Sequence, residues 1–367
     1  MIYYDNASTT HPITVQSEVC ANPSSPHEGG ILAERKLGSA RTQLYNCLNE
    51  VNKNAPQNIV FTSGGTESNN LALLGFAFAN RRKDILFLTE PWEHPSILEP
   101  LKFIKKQGLG RVTIAPHSKW ESVLPHGGTC LAAISHVNSE TGDINDMSAI
   151  ASKLKSENPN TVVLVDGAQG CFKEFADLTN VDMYSFSAHK FHGYTGVGAL
   201  AIRPSIRLAP IMYGGGQENR LRPGTENLHG ILHMADAASY SASREKQIII
   251  DINKTISQLA QELPEVFING QQNASPYILN MSFAGVKGEP LVHLLSQKGV
   301  YASMGAACRS RSNKKTVLED MGFDKHIAEC AVRFSFSHFN TLEEAQIAKK
   351  IIADCVTYLR TALQYKG

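Results

Sequence analysis

Val181-Asp-Met-Tyr-Ser-Phe-Ser-Ala-His-Lys190 is an apolar run that ends on polar and basic side chains, and its reading decides the fold. The run predicts a short strand that delivers Ser187, His189 and Lys190 together at its carboxyl end. Standing alone, a lysine in that position reads as a solvated surface residue. The other reading is a Schiff-base lysine, whose amine is kept neutral part of the time by nearby positive charge or desolvation so that it attacks an aldehyde carbon. The rest of the chain decides between the two.

Working outward, Ile59-Val-Phe-Thr62 is a compact apolar strand that turns through Ser63-Gly-Gly-Thr66 into a helical pattern from Glu67 to Leu74. Strand, glycine turn and helix start bring bare backbone N–H groups and the positive helix end to one place, which suits an anion. By itself the segment also reads as an ordinary βα turn, and it fits neither the dinucleotide nor the Walker pattern. Further strands are predicted at Asp84–Leu88, ending near Glu93-His94, at Cys130–Val137, ending at Asn138-Ser139, and at Thr161–Asp166, with Asp166 at its tip. In an open α/β sheet the carboxyl ends of the strands line one crevice, so His94, Ser139, Asp166 and Lys190 are expected to converge. Singly, His94 reads as a core histidine and Asp166 as a turn cap. Together with the anion turn they match pyridoxal phosphate, which needs a phosphate cradle, a carboxylate at its pyridine nitrogen, a group on its ring face and an amine for its aldehyde.

Elsewhere, Leu37, Ala40, Leu44 and Leu48 recur at helical spacing, and Gly214–Thr225 is a long loop rich in glycine and arginine. A helical stretch near Arg244–Leu263 leads into a second domain. There Tyr277–Phe283 alternates like a half-buried strand and Glu289–Lys298 reads as a helix stopped by Gly299. The last helix opens on the capping box Thr341-Leu-Glu-Glu344 and puts Leu342, Ala345, Ala348, Ile352, Cys355 and Leu359 on one face.

The 367 residues suffice for two domains, and 42% hydrophobic content suffices for a core. With 35 basic and 34 acidic residues the net charge is +1, so no global field selects nucleic acid or an anionic membrane as partner. Seven scattered cysteines without metal spacing point to reduced thiols and a cytoplasmic location. No leader pattern opens the chain, and no run approaches the ~18 apolar residues that cross a bilayer. No metal site is expected. Cys308 differs from the other cysteines. It sits among small residues, Ala302-Ser-Met-Gly-Ala-Ala, with Arg309, Arg311, Lys314 and Lys315 after it, and positive charge favours a thiolate. Alone it reads as an exposed loop cysteine. Arg333, near the end of a predicted strand, suits a carboxylate clamp or else a surface ion pair.

In these residues the chain resembles the cysteine desulfurases, class V of the fold-type I pyridoxal phosphate enzymes, nearly end to end. Thr62-Ser-Gly-Gly-Thr-Glu-Ser68, which contains Gly65 and Thr66, resembles the phosphate loop. Glu93-His94 resembles the ring-stacking histidine, Val165-Asp166-Gly-Ala-Gln169 the pyridine-nitrogen strand, and Ser187-Ala-His189-Lys190 the Schiff-base motif. The resemblance implies a large domain with a mostly parallel sheet over 13–245, which binds the cofactor. It also implies a smaller α+β domain over 1–12 plus 246–367, which carries the cysteine loop. Thr225 would reach the phosphate of a neighbouring subunit, making a homodimer. Arg333, with Asn138, would bind the substrate L-cysteine, Cys308 would accept its sulfur as a persulfide, and a scaffold or tRNA-thiolation enzyme would receive it. Three departures from the family pattern bear on the partner: Ser139 where asparagine is usual, a less polar Ser303-Met-Gly-Ala-Ala-Cys308 and His338 in place of arginine. The chain also stops at Gly367, where housekeeping members carry a scaffold-binding tail. The rival expectations are a selenocysteine lyase or another class V aminotransferase or C–S lyase, and a non-catalytic homologue that serves as a binding partner.

Overall fold

The computed structural model describes residues 1–15, 21–81, 84–125, 127–304 and 315–365. Cys308 and its basic neighbours Arg309, Arg311 and Lys314 lie outside the described residues. The chain forms two compact units, one of His11–His136 with Asn145–Ser243, the other of Met1–Thr10, Val137–Ile144 and Arg244–Gly367. The short segment Val137–Ile144 thus clusters with the second unit although the chain on both sides of it belongs to the first.

The first unit is built on a seven-stranded sheet in the order Asn58–Thr62, Gly198–Ile202, Met183–Ser187, Thr161–Asp166, Thr129–Ser135, Ile85–Thr89, Arg111–Ile114. Gly198–Ile202 runs antiparallel to both of its neighbours; the other pairings are parallel. Strands such as Ile85–Thr89 are buried at every position, because helices cover both faces. Successive side chains alternate between two cores. Leu86 and Leu88 join Leu37, Leu44 and Leu48 of the Glu28–Val51 helix and Ile231 and Met234 of the Leu228–Ala242 helix. Ile85 and Phe87 join Leu71 and Phe76 of the Gly65–Ala79 helix and Ile97 and Leu101 of the Pro95–Lys106 helix. Each such side chain contributes about 1.5–3 kcal/mol by leaving water. The parallel arrangement puts the carboxyl ends of four adjacent strands along one edge, where Glu93, His94, Asp166 and Lys190 follow.

In the second unit Ile2–Tyr3 pairs in parallel with Val300–Tyr301, and Ile278–Phe283 is the centre of a three-stranded antiparallel sheet. That strand is buried at all six positions rather than half-buried. Its alternation is real, but its polar face is covered and bonded. Asn280 Nδ2 donates to the Glu140 carbonyl at 3.1 Å, Asn269 Nδ2 donates to Asn280 Oδ1 and Ser282 Oγ at 2.8 and 2.7 Å, and Ser282 Oγ donates to the Ile327 carbonyl at 2.8 Å. The expected stretch near Arg244–Leu263 forms two helices, Gln247–Ser257 and Leu259–Glu262. The capping box at Thr341 and Glu344 is present, and Ala345, Ala348, Ile352 and Cys355 are buried. Leu342, placed by its spacing on the same face, is exposed in the first turn. Among the described residues no helix is long and apolar enough to cross a membrane, and Cys47, Cys130, Cys171, Cys330 and Cys355 are free thiols.

One carboxylate, that of Glu218, ties the Gly214–Thr225 loop to the edge strand of the sheet. Glu218, Asn219 and Arg220 all have positive φ, at 47°, 54° and 66°, a conformation that costs ordinary residues free energy and persists only when the surroundings impose it. The Glu218 side chain, 2% exposed, accepts from both terminal nitrogens of Arg41 at 2.7 and 2.8 Å and from the Phe61 N–H of the sheet's edge strand at 2.9 Å. Arg41 also donates to the Ile59 carbonyl and lies over the Phe61 ring. Glu218→Ala leaves a buried N–H and a guanidinium without their acceptor, and the expected loss is about 2–4 kcal/mol. Urea unfolding measures it, and limited trypsin digestion should then cut after Arg220, where the unmodified chain resists.

Candidate active site

The anion turn follows the Asn58–Thr62 strand directly. Gly64 has φ 155° and ψ 179°, a region only glycine enters at low cost. Thr62 Oγ1 donates to the Gly64 carbonyl at 3.1 Å and meets Ser68 Oγ at 2.8 Å, which fixes the turn. No side chain caps the helix that begins at Gly65, so its first N–H groups face outward with the positive end of the helix. A Cβ built on Gly64 would stand 3.5 Å from Ser187 Oγ. The Ser187 hydroxyl therefore faces the turn, while the Thr66 side chain is exposed beside it. Glu67 Oε2 accepts from the Ser63 N–H at 2.7 Å, and its Oε1 accepts from Arg222 Nε at 3.0 Å. Those two bonds hold its carboxyl below the ordinary carboxylate range against the opposing effect of burial.

Asp166, 7% exposed, ends its strand as expected. Oδ1 accepts from the Ala168 N–H at 3.0 Å and Oδ2 from Asn69 Nδ2 at 2.8 Å. Asn69, one turn into the anion-site helix, also donates to Ser96 Oγ at 2.9 Å and accepts from Ser185 Oγ at 2.6 Å. Ser96 Oγ in turn meets His94 Nδ1 at 2.8 Å. His94 is the N-cap of the Pro95–Lys106 helix, accepting from the Ser96 N–H, and is exposed rather than a core histidine. One hydrogen-bonded chain thus joins His94, Ser96, Asn69, Asp166 and Ser185. Sequence reasoning misses Asn69, Ser96 and Ser185; the only signal is a polar residue at a buried position, in a helix for the first two and inside an apolar strand for Ser185.

Glu93, beside His94, is 1% exposed. Its Oε1 accepts from the N–H and hydroxyl of Ser135 at 2.9 and 3.1 Å, and its Oε2 is buried without a hydrogen-bond partner. Burial, together with the charges of Glu90 and Asp166, pushes its carboxyl up to about 8. Glu93 is therefore mostly protonated at pH 7.

At the end of the neighbouring strand, His189 and Lys190 form a single 3₁₀ turn and are half-buried. Burial, then the charges of Lys190 and Lys173, press the His189 imidazole down to about 4, so it is neutral. Gln169 is buried in the turn after Asp166. Thr225 is exposed at the end of the Gly214–Thr225 loop. These groups all belong to the first unit.

Asn138, Ser139 and Arg333 belong to the second. Asn138 Oδ1 accepts from the N–H groups of Glu140 and Thr141 at 2.8 and 3.1 Å, which shapes the turn holding Ser139. Arg333, in the middle of the Ala331–Ser335 strand, is 5% exposed. It is no surface ion pair. It donates to the Ser139 carbonyl at 2.8 Å, Glu140 Oε1 at 3.3 Å, Asp5 Oδ1 at 3.3 Å and Ser8 Oγ at 3.0 Å, and its Nε is buried without a partner. His338 Nε2 meets the Tyr277 hydroxyl at 3.0 Å.

The donor set of the first unit fits a phosphorylated pyridine aldehyde. It has an uncapped helix start faced by a serine hydroxyl, a buried carboxylate held by two donors, a histidine linked to it and a lysine on the adjacent strand end. Because Glu93 keeps its proton in the folded chain but releases it when unfolded, it subtracts stability increasingly from pH 4.5 to about 8. Glu93→Gln is expected to gain stability on the unmodified chain across that window, by a few kcal/mol at its top, and to run parallel to it above and below. Urea midpoints from pH 4 to 9 measure this.

Residues 2–347 match the family model described as Aminotransferase class-V. The chain is 36% identical over 356 residues to the cysteine desulfurase IscS of Pseudomonas putida strain W619, covering 92% of this chain and 86% of that one. It is 37% identical to a NifS/IcsS protein homolog of Lactobacillus delbrueckii subsp. bulgaricus, covering 94% of each. A solved structure titled NifS-like protein superposes with a TM-score of 0.87 at 31% identity, over 97% of this chain and 99% of that one. With its sheet order, its strand-end lysine and aspartate and a match of this extent, the chain belongs to the class-V aminotransferase family.

Proposed function

We propose that this chain is a cysteine desulfurase that uses pyridoxal phosphate to take the sulfur from L-cysteine, giving L-alanine and a persulfide on Cys308. The observation that carries the reading is the hydrogen-bonded chain from His94 to Asp166 beside the strand that ends in Lys190. Relatives named cysteine desulfurase, at more than a third identity over most of the chain, support it. When bound, pyridoxal phosphate supplies an electron sink that weakens the bonds at the Cα of an amino acid joined to it.

The chain's own residues then have distinct tasks. The turn at Gly65 and Thr66, with Ser187 and His189, binds the phosphate, and Thr225 reaches the phosphate of a second copy in a homodimer. Asp166 would keep the pyridine nitrogen protonated, His94 would cover the ring, and Gln169 and Ser139 are the candidates for its hydroxyl. Lys190 would hold the cofactor through its amine and, once freed, would move the Cα proton of the substrate. Arg333, with Asn138, takes the substrate carboxylate; its buried Nε offers a donor. The Cys308 thiolate would attack the substrate sulfur as the Cβ–S bond breaks and leaves its electron pair on carbon, to be protonated to alanine, with His94 carrying a proton near that leaving group. That role rests on sequence, since Cys308 lies outside the described residues. The persulfide passes to an acceptor protein in the cytoplasm.

Lys190→Ala is expected to abolish borohydride fixation of the cofactor, which in the unmodified chain maps by peptide mass to Lys190. Cys308→Ala is expected to keep the cofactor but form no protein persulfide and lose at least about a hundredfold in cysteine turnover. Alanine and sulfide assays read it, and turnover at the native rate would refute the assignment.

A further inference from the structure

Glu67 and Arg222 meet beside the anion turn, and none of the steps above uses either. Glu67 lies in the first turn of the Gly65–Ala79 helix, the turn whose N–H groups a phosphate would need. Its carboxylate already takes one donor there, the Ser63 N–H at 2.7 Å. Burial opposes its charge, but the bonds from Arg222 and Ser63 outweigh burial, so the carboxyl stays below the ordinary carboxylate range. A negative side chain is favourable at a helix start when it is the only anion present. To a second, doubly charged anion it is an obstacle, because like charges at short range repel.

Arg222 offsets that obstacle. It comes from the Gly214–Thr225 loop, three residues before Thr225, and its Nε donates to Glu67 Oε1 at 3.0 Å. Both side chains are mostly buried, so salt screens the pair less than it would a pair on the surface. Other carboxylates do not compete for this guanidinium. Glu218 and Glu226 line one small cavity with Arg222, but Glu218 is bonded to Arg41, and among the described residues Arg222 forms an ion pair with Glu67 alone.

We infer that Arg222 is a positioning residue of the anion turn that acts by charge balance: because Arg222 neutralises it, the Glu67 carboxylate can remain in a turn that must also take a doubly charged phosphate. The inference rests on the turn at Gly65 and Thr66 binding the phosphate of pyridoxal phosphate. A fastening role alone has different consequences. If the pair only tied the loop that carries Thr225 to the turn, breaking it from either side would do the same harm. With charge balance the two sides have opposite signs. Removing Arg222 leaves an unopposed carboxylate and weakens phosphate binding, while removing the charge of Glu67 leaves an unopposed guanidinium and strengthens it.

The test compares the full-length unmodified chain with Arg222→Gln, Glu67→Gln and the double variant, in which the two amides can bond to each other. Equilibrium dialysis of the cofactor-free chains, at mildly alkaline pH where the phosphate is doubly charged, gives dissociation constants for two ligands. One is pyridoxal phosphate; the other is pyridoxal, which has the same ring and aldehyde but no phosphate. The expected result is pyridoxal phosphate bound about tenfold more weakly by Arg222→Gln, more tightly than native by Glu67→Gln and close to native by the double variant. Pyridoxal is expected to bind alike to all four. Equal or weaker binding of pyridoxal phosphate by Glu67→Gln, or the same loss for both ligands in Arg222→Gln, overturns the inference. If the unmodified chain does not bind pyridoxal phosphate, the cofactor reading has failed. Inorganic phosphate, read by the rise it gives in unfolding temperature, then takes its place with the same expected order, and no rise in the unmodified chain overturns the inference as well. Should Arg222→Gln not fold, the sign of the change in Glu67→Gln decides it.

Discussion

A carboxylate placed at the tip of a buried strand must be satisfied by its surroundings or lose its charge, and the first unit is arranged to satisfy Asp166. The carboxamide of Asn69 supplies one of its two donors, beside the Ala168 N–H, and ties it to a strand and a helix start: it donates toward Asp166 and Ser96 and accepts from Ser185. It reaches them only because its helix starts right after the anion turn and packs flat on the sheet. That helix start in turn depends on a backbone conformation at Gly64 that few other residues adopt. The anion turn and the anionic strand tip are thus a single construction, with one side chain spanning both.

Charge is distributed around this construction by burial. Two acidic groups, Glu93 and Asp166, lie close enough to repel, and the one without a second donor set takes up a proton. On the next strands the order is reversed, with basic groups crowded so that His189 is neutral and Lys173 is easily deprotonated. Burial thus moves Glu93, His189 and Lys173 all toward their uncharged forms.

Most of the parallel strands are legible because buried parallel strands are continuous apolar runs, and the candidate site residues are legible because each follows such a run. Thr161–Asp166 has the expected bounds, and the strand before His94 is shifted by one residue, at Ile85–Thr89. Gly198–Ile202 escaped notice: five small and apolar residues carry no sign that they will run against their neighbours. The full burial of Ile278–Phe283 was equally hidden, since alternation reports which side chains are polar and not whether something covers them. Of the site, the ionisable members were legible and their neutral holders were not. Asn69 and Ser96 look like ordinary helical residues until the sheet supplies their partners, and no pattern in the chain shows that Arg333 will spend its donors on Asp5, Ser8, Ser139 and Glu140.

The strand Ile2–Tyr3 lies beside Val300–Tyr301, and this has a consequence for biosynthesis. At about 5–20 residues per second, a ribosome needs on the order of 15–60 s to pass from the first of these segments to the second. Throughout that interval Ile2–Tyr3 has no edge to add to, while the larger unit, whose last residue is Ser243, is already free to collapse. The order of translation therefore makes the smaller unit the last to assemble, after every strand of the seven-stranded sheet has been made.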